Sequence, residues 1–286
     1  KSHPWSNYIR WHSKVYDRRL LKLIDSRENF NLIDRIKLPS DYYANLYLYK
    51  IPKMKKGELS LKIFNGKIKI FYRDREITKD TGITLEFSYN NRTHGYSGAI
   101  WDFYNISPHQ VKMAAEWPDP GIIQSTIITM DPEKKNTINV KVRLESPRDI
   151  TLTSWYINSL ISDRYKEWIR PFFKRVFKDI SPLSNPNSFE ALDLDYIGPN
   201  IVGIRENARE ELPALLFKNS DAEMPMRAGV SNTNYYHNAR CIYVTAASEI
   251  RLQAGMPKDV LDMNITVLDD SGLKKAISEI EEGMSK

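Results

Sequence analysis

The chain has 286 residues, 41% of them hydrophobic and 27% charged, enough apolar material for one large core or two smaller ones, which excludes a disordered or fibrous protein. Lys and Arg outnumber Asp and Glu by 42 to 36; the net charge of +6 admits phosphate-rich or acidic partners but falls far short of a histone-like tail. A single cysteine, Cys241, excludes an internal disulfide, so the fold rests on packing alone, in keeping with a reducing compartment.

No apolar run approaches the roughly 18 residues needed to span a bilayer, and Lys1-Ser2-His3-Pro4-Trp5 lacks the apolar core of a signal peptide. The expectation is a soluble protein without a membrane partner, cytoplasmic or assembled into a particle. The chain does not open on Met, so an upstream segment stays open.

In chain order, residues 5–24 place Trp5, Ile9, Val15, Leu20 and Leu23 at helical steps, with Arg10, Lys14, Arg18 and Lys22 on other faces. This predicts a basic amphipathic helix. From about residue 44 the period becomes two. In ELSLKIFNGKIKIFYR (58–73), Asn65-Gly66 separates two alternating runs, the signature of a hairpin closed by a type I′ turn. Such a turn pairs Leu59 with Tyr72, Leu61 with Ile70 and Ile63 with Ile68 on one face, and Ser60 with Phe71, Lys62 with Lys69 and Phe64 with Lys67 on the other. Residues 83–89 and 138–144 alternate in the same way and predict half-buried antiparallel strands.

Residues 97–117 carry Trp101, Phe103, Tyr104 and Trp117 without a clean period, and predict a bend plus a short helix begun by Ser107-Pro108. Residues 155–180 step through Ile157, Leu160, Tyr165, Trp168, Phe172 and Val176, which predicts an aromatic helix pair split at Pro171. Residues 181–200, punctuated by Asn and Pro yet holding Phe189, Leu192, Leu194 and Tyr196, predict an ordered strap at a domain boundary. Beyond it the pattern suits a short helix over 205–217, a strand turning into a helix over 240–254, and a strand over 264–268. A last helix is capped by Asp269-Asp270-Ser271 and striped by Leu273, Ala276, Ile277, Ile280 and Met284. The sum is an α+β fold: a central antiparallel sheet, sandwich or partial barrel, with N-terminal, middle and C-terminal helices. Its divisions are a basic helix and lead-in (1–43), a β-rich domain with the aromatic helix pair (44–180), and a strap with a mixed C-terminal region (181–286).

Few residues carry chemistry. Pro118-Asp119 followed by Glu133-Lys134-Lys135 resembles the letters of a PD…ExK metal-dependent nuclease, but that site needs Glu and Lys two apart on one strand so that both face one metal. Asp131-Pro132-Glu133-Lys134-Lys135-Asn136 is polar throughout and lies between two strand-like runs, which predicts a turn with Glu133 and Lys135 at its tip. What remains for a metal is Glu116 and Asp119, without a recognisable third ligand. Cys241 beside His237 has the apolar flank of a buried structural thiol. There is no phosphate-cradling glycine loop, so no cofactor is implied.

The remaining lead is the basic and aromatic surface of Lys53, Lys55, Lys56, Lys62, Phe64, Lys67, Lys69 and Phe71, a mixture able to follow a phosphate backbone and stack bases. A solvated lysine-guarded edge, a protein partner and a nucleic acid are all open readings of it. Abundant aromatics and a long strap without a catalytic set suggest a surface meant to be covered. The leading expectation is a non-enzymatic structural or assembly subunit of a large complex, such as a virion component, whose partners are other protein subunits, copies of itself included. The alternatives are a nucleic-acid-binding protein using that hairpin with Arg10, Arg18 and Arg19 on phosphates, and a metal-dependent hydrolase around Glu116 and Asp119.

Overall fold

The computed structural model of the chain describes residues 53–286 apart from 132, 135, 179–189, 195, 197, 207–210, 221–224, 233–238 and 286, and describes two short strands within residues 1–52. Two units are distinguished, Lys1–Pro52 and Lys53–Lys286. In the first, β1 (Arg35–Lys37) pairs antiparallel with β2 (Asn45–Tyr47), Arg35 opposite Tyr47. The basic helix predicted over 5–24, with Arg10, Arg18 and Arg19, lies outside the described residues.

The second unit runs through β3 (Lys53–Lys56), β4 (Leu59–Phe64), β5 (Lys67–Tyr72), β6 (Arg75–Glu76), β7 (Thr78–Tyr89), β8 (Arg92–His94), β9 (Ile100–Ser107), β10 (Gln110–Trp117), β11 (Ile122–Met130) and β12 (Thr137–Glu145). It continues with β13 (Ile150–Leu152), β14 (Ser154–Ser162), β15 (Tyr165–Arg170), β16 (Phe173–Val176), β17 (Glu190–Ala191), β18 (Ile201–Glu206) and β19 (Ala214–Asn219). The last elements are β20 (Met226–Asn232), β21 (Ala239–Ala246), β22 (Ile250–Leu252), β23 (Lys258–Leu268) and the helix α1 (Asp270–Met284). One large sheet has the order β16-β15-β18-β19-β23-β12-β11-β10-β9; the other has the order β17-β20-β21-β14-β7-β5-β4-β3, with β6 on β5 and β8 on β7. The pair β13-β22 forms a small separate sheet. Strands from before and after residue 181 alternate within both large sheets, as in β14-β21 and β12-β23.

A single core lies between the two sheets. Leu61, Ile63, Phe87, Ile157 and Ile242 from the ten-stranded sheet pack with Val111, Ile128, Val140, Ile204 and Ile265 from the nine-stranded one, all 3% exposed or less. This is an antiparallel β-sandwich, each sheet turning alternate residues inward. α1 closes part of the outer face of the nine-stranded sheet, laying Leu273 and Ile277 on Ile201, Ala214 and Leu216. Its first turn is capped by Asp269, whose Oδ1 accepts from the Gly272 N–H at 2.6 Å. No described helix is long and apolar enough to cross a membrane.

The α+β expectation is therefore wrong: 66% of the described residues are in strands and 9% are helical, with α1 the one α-helix among them. The short helix expected after Ser107-Pro108 is instead the turn between β9 and β10. The aromatic helix pair of 155–180 is three strands, β14 to β16, with Pro171-Phe172 turning β15 into β16. The misreading has a physical cause, because Ile157, Asn158, Ser159, Leu160 and Ile161 are all buried. A strand covered on both faces loses the alternation that marks a strand, and its apolar residues then fall at helical steps by coincidence. Within the span of the helix expected over 205–217, the described residues hold the end of β18 and most of β19, and 240–254 holds β21 and β22.

Local readings of alternation and turns match the structure. β4 and β5 pair with Leu59 opposite Tyr72, Lys62 opposite Lys69 and Phe64 opposite Lys67. Asn65 and Gly66 both have positive φ, 43° and 73°, as a type I′ turn requires. Arg73-Asp74 and Asn90-Asn91 form two further positive-φ corners, at φ of 50° and 60° and of 48° and 59°. Glu133 is exposed in the turn between β11 and β12, where its N–H and that of Lys134 donate to Asp131 Oδ1 at 2.8 and 3.0 Å.

Candidate functional site

The hairpin lysines are partnered within the chain. Lys62 lies over the Phe71 ring at 4.8 Å, and Lys67 over Tyr96 at 4.4 Å and Phe64 at 5.8 Å. Lys69 forms a 2.9 Å ion pair with Glu76, so the repulsion built into the Lys62–Lys69 pair is relieved by a neighbouring strand and an aromatic ring. Lys56 Nζ donates to the Asp131 carbonyl, and Lys55, exposed, stands 3.9 Å from Asp74. Lys53 pairs through its backbone in β3 with Lys62.

Glu116 and Asp119 are both exposed. Glu116 sits on the outer face of β10, opposite Ile100 and Ile123, and Asp119 in the β10–β11 turn. Among the described residues no group of three His, Cys, Asp or Glu is placed to hold a metal. Cys241 is fully buried, with Sγ 3.8 Å from Asn158 Oδ1; burial pushes its thiol pKa up to about 12, so it stays protonated and unreactive.

The most developed polar surface lies elsewhere, on the outer face of the ten-stranded sheet. Antiparallel registry places Glu86 of β7, Tyr156 of β14, Thr245 of β21 and Arg227 of β20 opposite one another in a single row. Four strands at about 4.8 Å spacing make that row about 14 Å long. The next row holds Thr84, Asn158, Tyr243 and Gly229 in the same four strands. Glu86, Tyr156, Thr245 and Tyr243 are half-buried and Arg227 is exposed, so the rows form a polar floor reachable from solvent.

Three contacts fix its geometry. The Tyr156 hydroxyl donates to Glu86 Oε2 at 2.8 Å; burial and the neighbouring carboxylate both push the phenol pKa well above its ordinary value, so Tyr156 remains a donor. Glu86 Oε1 points to the side where Gly95 presents no side chain, 3.5 Å from where one would begin. The Tyr243 ring occupies the space over Gly229; a Cβ there would stand 2.0 Å from ring Cζ, so only glycine leaves room for the ring. At the margin of the floor, the buried Arg170 donates to Asp193 and to the Ala228 carbonyl and stacks at 4.3 Å on Tyr196. None of these floor residues stands out in the sequence. The one local signal is Glu86 at an outward position of ITLEFSY, and its partners lie 70 to 159 residues further along.

No family model matches the chain, and no curated protein matches it. Solved structures do match in fold. An α-N-acetylgalactosaminidase from Bifidobacterium bifidum, solved as a complex with GalNAc, aligns with a TM-score of 0.53 at 8% identity over 77% of this chain and 36% of that one. A putative kojibiose phosphorylase from the human microbiome aligns with a TM-score of 0.46 at 8% identity, over 82% and 33%. An α-galactosidase from Geobacillus stearothermophilus aligns at 0.45 and 10% identity, over 77% and 41%. The first likeness places this chain among β-sandwiches of that fold. The chain spans about a third to two-fifths of the length of these structures.

Proposed function

We propose that the sandwich is a carbohydrate-binding module that receives a neutral sugar on the row Glu86–Tyr156–Thr245–Arg227. The observation that carries this reading is the row itself: a carboxylate, a phenol, a hydroxyl and a guanidinium set side by side on a rigid, half-buried sheet. A pyranose presents hydroxyls that both donate and accept around an apolar ring face. Glu86 supplies an acceptor, Arg227 a fork of donors, and Thr245, whose hydroxyl proton goes to the Trp155 carbonyl at 3.0 Å, a second acceptor, while the tyrosine rings offer apolar surface. Half-burial strengthens such hydrogen bonds by lowering the local dielectric. The row holds one carboxylate rather than the facing pair that hydrolysis of a glycosidic bond ordinarily uses, so the reading is one of binding. The fold shared with the GalNAc-complexed acetylgalactosaminidase supports it.

Calorimetric titration with GalNAc, galactose, glucose and their short oligosaccharides tests the reading. Saturable binding is expected, weakened about tenfold (~1.4 kcal/mol) by Arg227→Ala at unchanged melting temperature, and by Tyr156→Phe with the fold retained by circular dichroism. Absence of saturable binding to any of these sugars disposes of it. A structural or assembly role is the second reading, favoured by the uncovered apolar strand β9 at the end of the nine-stranded sheet.

A further inference from the structure

We propose that β9 is a self-association edge through which two copies of this chain join their nine-stranded sheets antiparallel about a twofold axis. Independently of sugar binding, the sandwich treats the four ends of its two large sheets differently. Exposed strand edges invite pairing, and proteins blunt them with short strands, lysines or prolines. β17 is two residues long, β3 carries Lys53, Lys55 and Lys56 in four residues, and β16 has four residues that include Lys174 and Arg175. β9 has none of these three devices; its one irregularity is a bulge near its end that leaves Ile106 without a partner on β10. It is eight residues long, holds no Lys, Arg or Pro, and exposes Ile100 by 63%, Tyr104 by 53% and Ile106 by 51%.

Charge selects both the occupant and the register. With Phe103 on the twofold axis, Trp101 lies opposite Asn105 of the second copy, and Asp102 opposite Tyr104 of the second copy, whose phenol donates to the carboxylate, all within the regular part of β9 before its bulge. In the β9–β10 pairing Lys112 stands opposite Tyr104, so the same register brings a lysine of each copy towards an aspartate of the other. A register centred on Asp102 instead sets the two carboxylates against each other. The strand is therefore self-complementary in one register, which a second copy of the same sequence satisfies twice over.

Sedimentation velocity on the full chain over a wide concentration series tests this, with circular dichroism to verify the fold. The expected result is a monomer–dimer equilibrium, weakened at least tenfold by Tyr104→Lys or Ile106→Lys, both outside the core. Asp102→Lys should weaken it too, and addition of Lys112→Glu should restore it, a rescue that a general loss of apolar surface would not produce. A monomer at all concentrations, an open-ended series of oligomers, or a dimer indifferent to these substitutions overturns the proposal.

Discussion

Gly66 meets two requirements of different origin. Its φ of 73° belongs to the type I′ turn, while the space above it is filled by the Trp101 indole, with Cζ2 2.2 Å from where a Cβ would stand. That indole is held by Nε1 donating to the Tyr96 carbonyl at 2.8 Å and by an edge contact to Trp117 at 5.9 Å. Gly66→Ala should cost about 2 kcal/mol or more, from left-handed strain together with a displaced tryptophan. Chemical denaturation measures it, and a variant as stable as the parent would mean that neither constraint holds. The turn was legible in Asn65-Gly66, because its chemistry is confined to two adjacent residues. The indole was not, because Trp101 arrives from the other sheet.

At the scale of elements, β15 is fastened to its surroundings by Glu167. Its carboxylate accepts from Arg205 of β18 at 2.5 Å and pairs with Lys174 of β16 at 3.1 Å, and Arg205 reaches on to Asp270 of α1 at 3.1 Å. Burial alone would push the Glu167 pKa up, but the hydrogen bonds from Arg205 and Lys174 outweigh it and hold the group below the ordinary glutamate value. A depressed carboxylate pKa stabilises the fold above the unfolded value of about 4.3 and loses that contribution as pH falls through the folded value. Glu167→Gln should therefore lower stability by about 1–2 kcal/mol at neutral pH, with the gap to the parent closing below about pH 4. A pH-independent gap in urea midpoints would count against the ion pairs as its source.

The same scale shows where element reading succeeds. β7, β12 and the β4–β5 hairpin keep one polar face and so alternate visibly, and α1 announces itself through Asp269 and its apolar stripe. β14, with five successive buried residues, carries no such sign. The hairpin lysines were legible as a basic-aromatic cluster, yet their partners Glu76 and Tyr96 come from neighbouring elements.

For the whole molecule, the buried Arg170–Asp193 pair joins the two sheets. Arg170 ends β15 of the nine-stranded sheet and donates to the Ile201 carbonyl of the same sheet, while its other contacts, Asp193 and the Ala228 carbonyl, lie along β20 of the ten-stranded one. Asp193 in turn accepts from the Val230 N–H at 3.0 Å. Arg170→Met should cost about 3–5 kcal/mol because it strands a carboxylate in the interior, and adding Asp193→Asn should recover part of the loss. Urea unfolding of the single and double variants decides it; additive losses would show that the two groups do not act as a pair.

The sequence by itself determined the hairpin register, the turn that exposes Glu133 and Lys134, the strands with one wet face and the C-terminal helix. Each of these depends on residues within a few positions of one another, through turn chemistry, capping or alternation. Only the tertiary structure decided that the chain is a two-sheet sandwich, that its hairpin lysines are internally partnered, and that Glu86, Tyr156, Thr245 and Arg227 share a row. Those features come from pairing strands up to 129 residues apart, and backbone hydrogen bonding, which any sequence can supply, leaves little trace of the partner in the residues that make it.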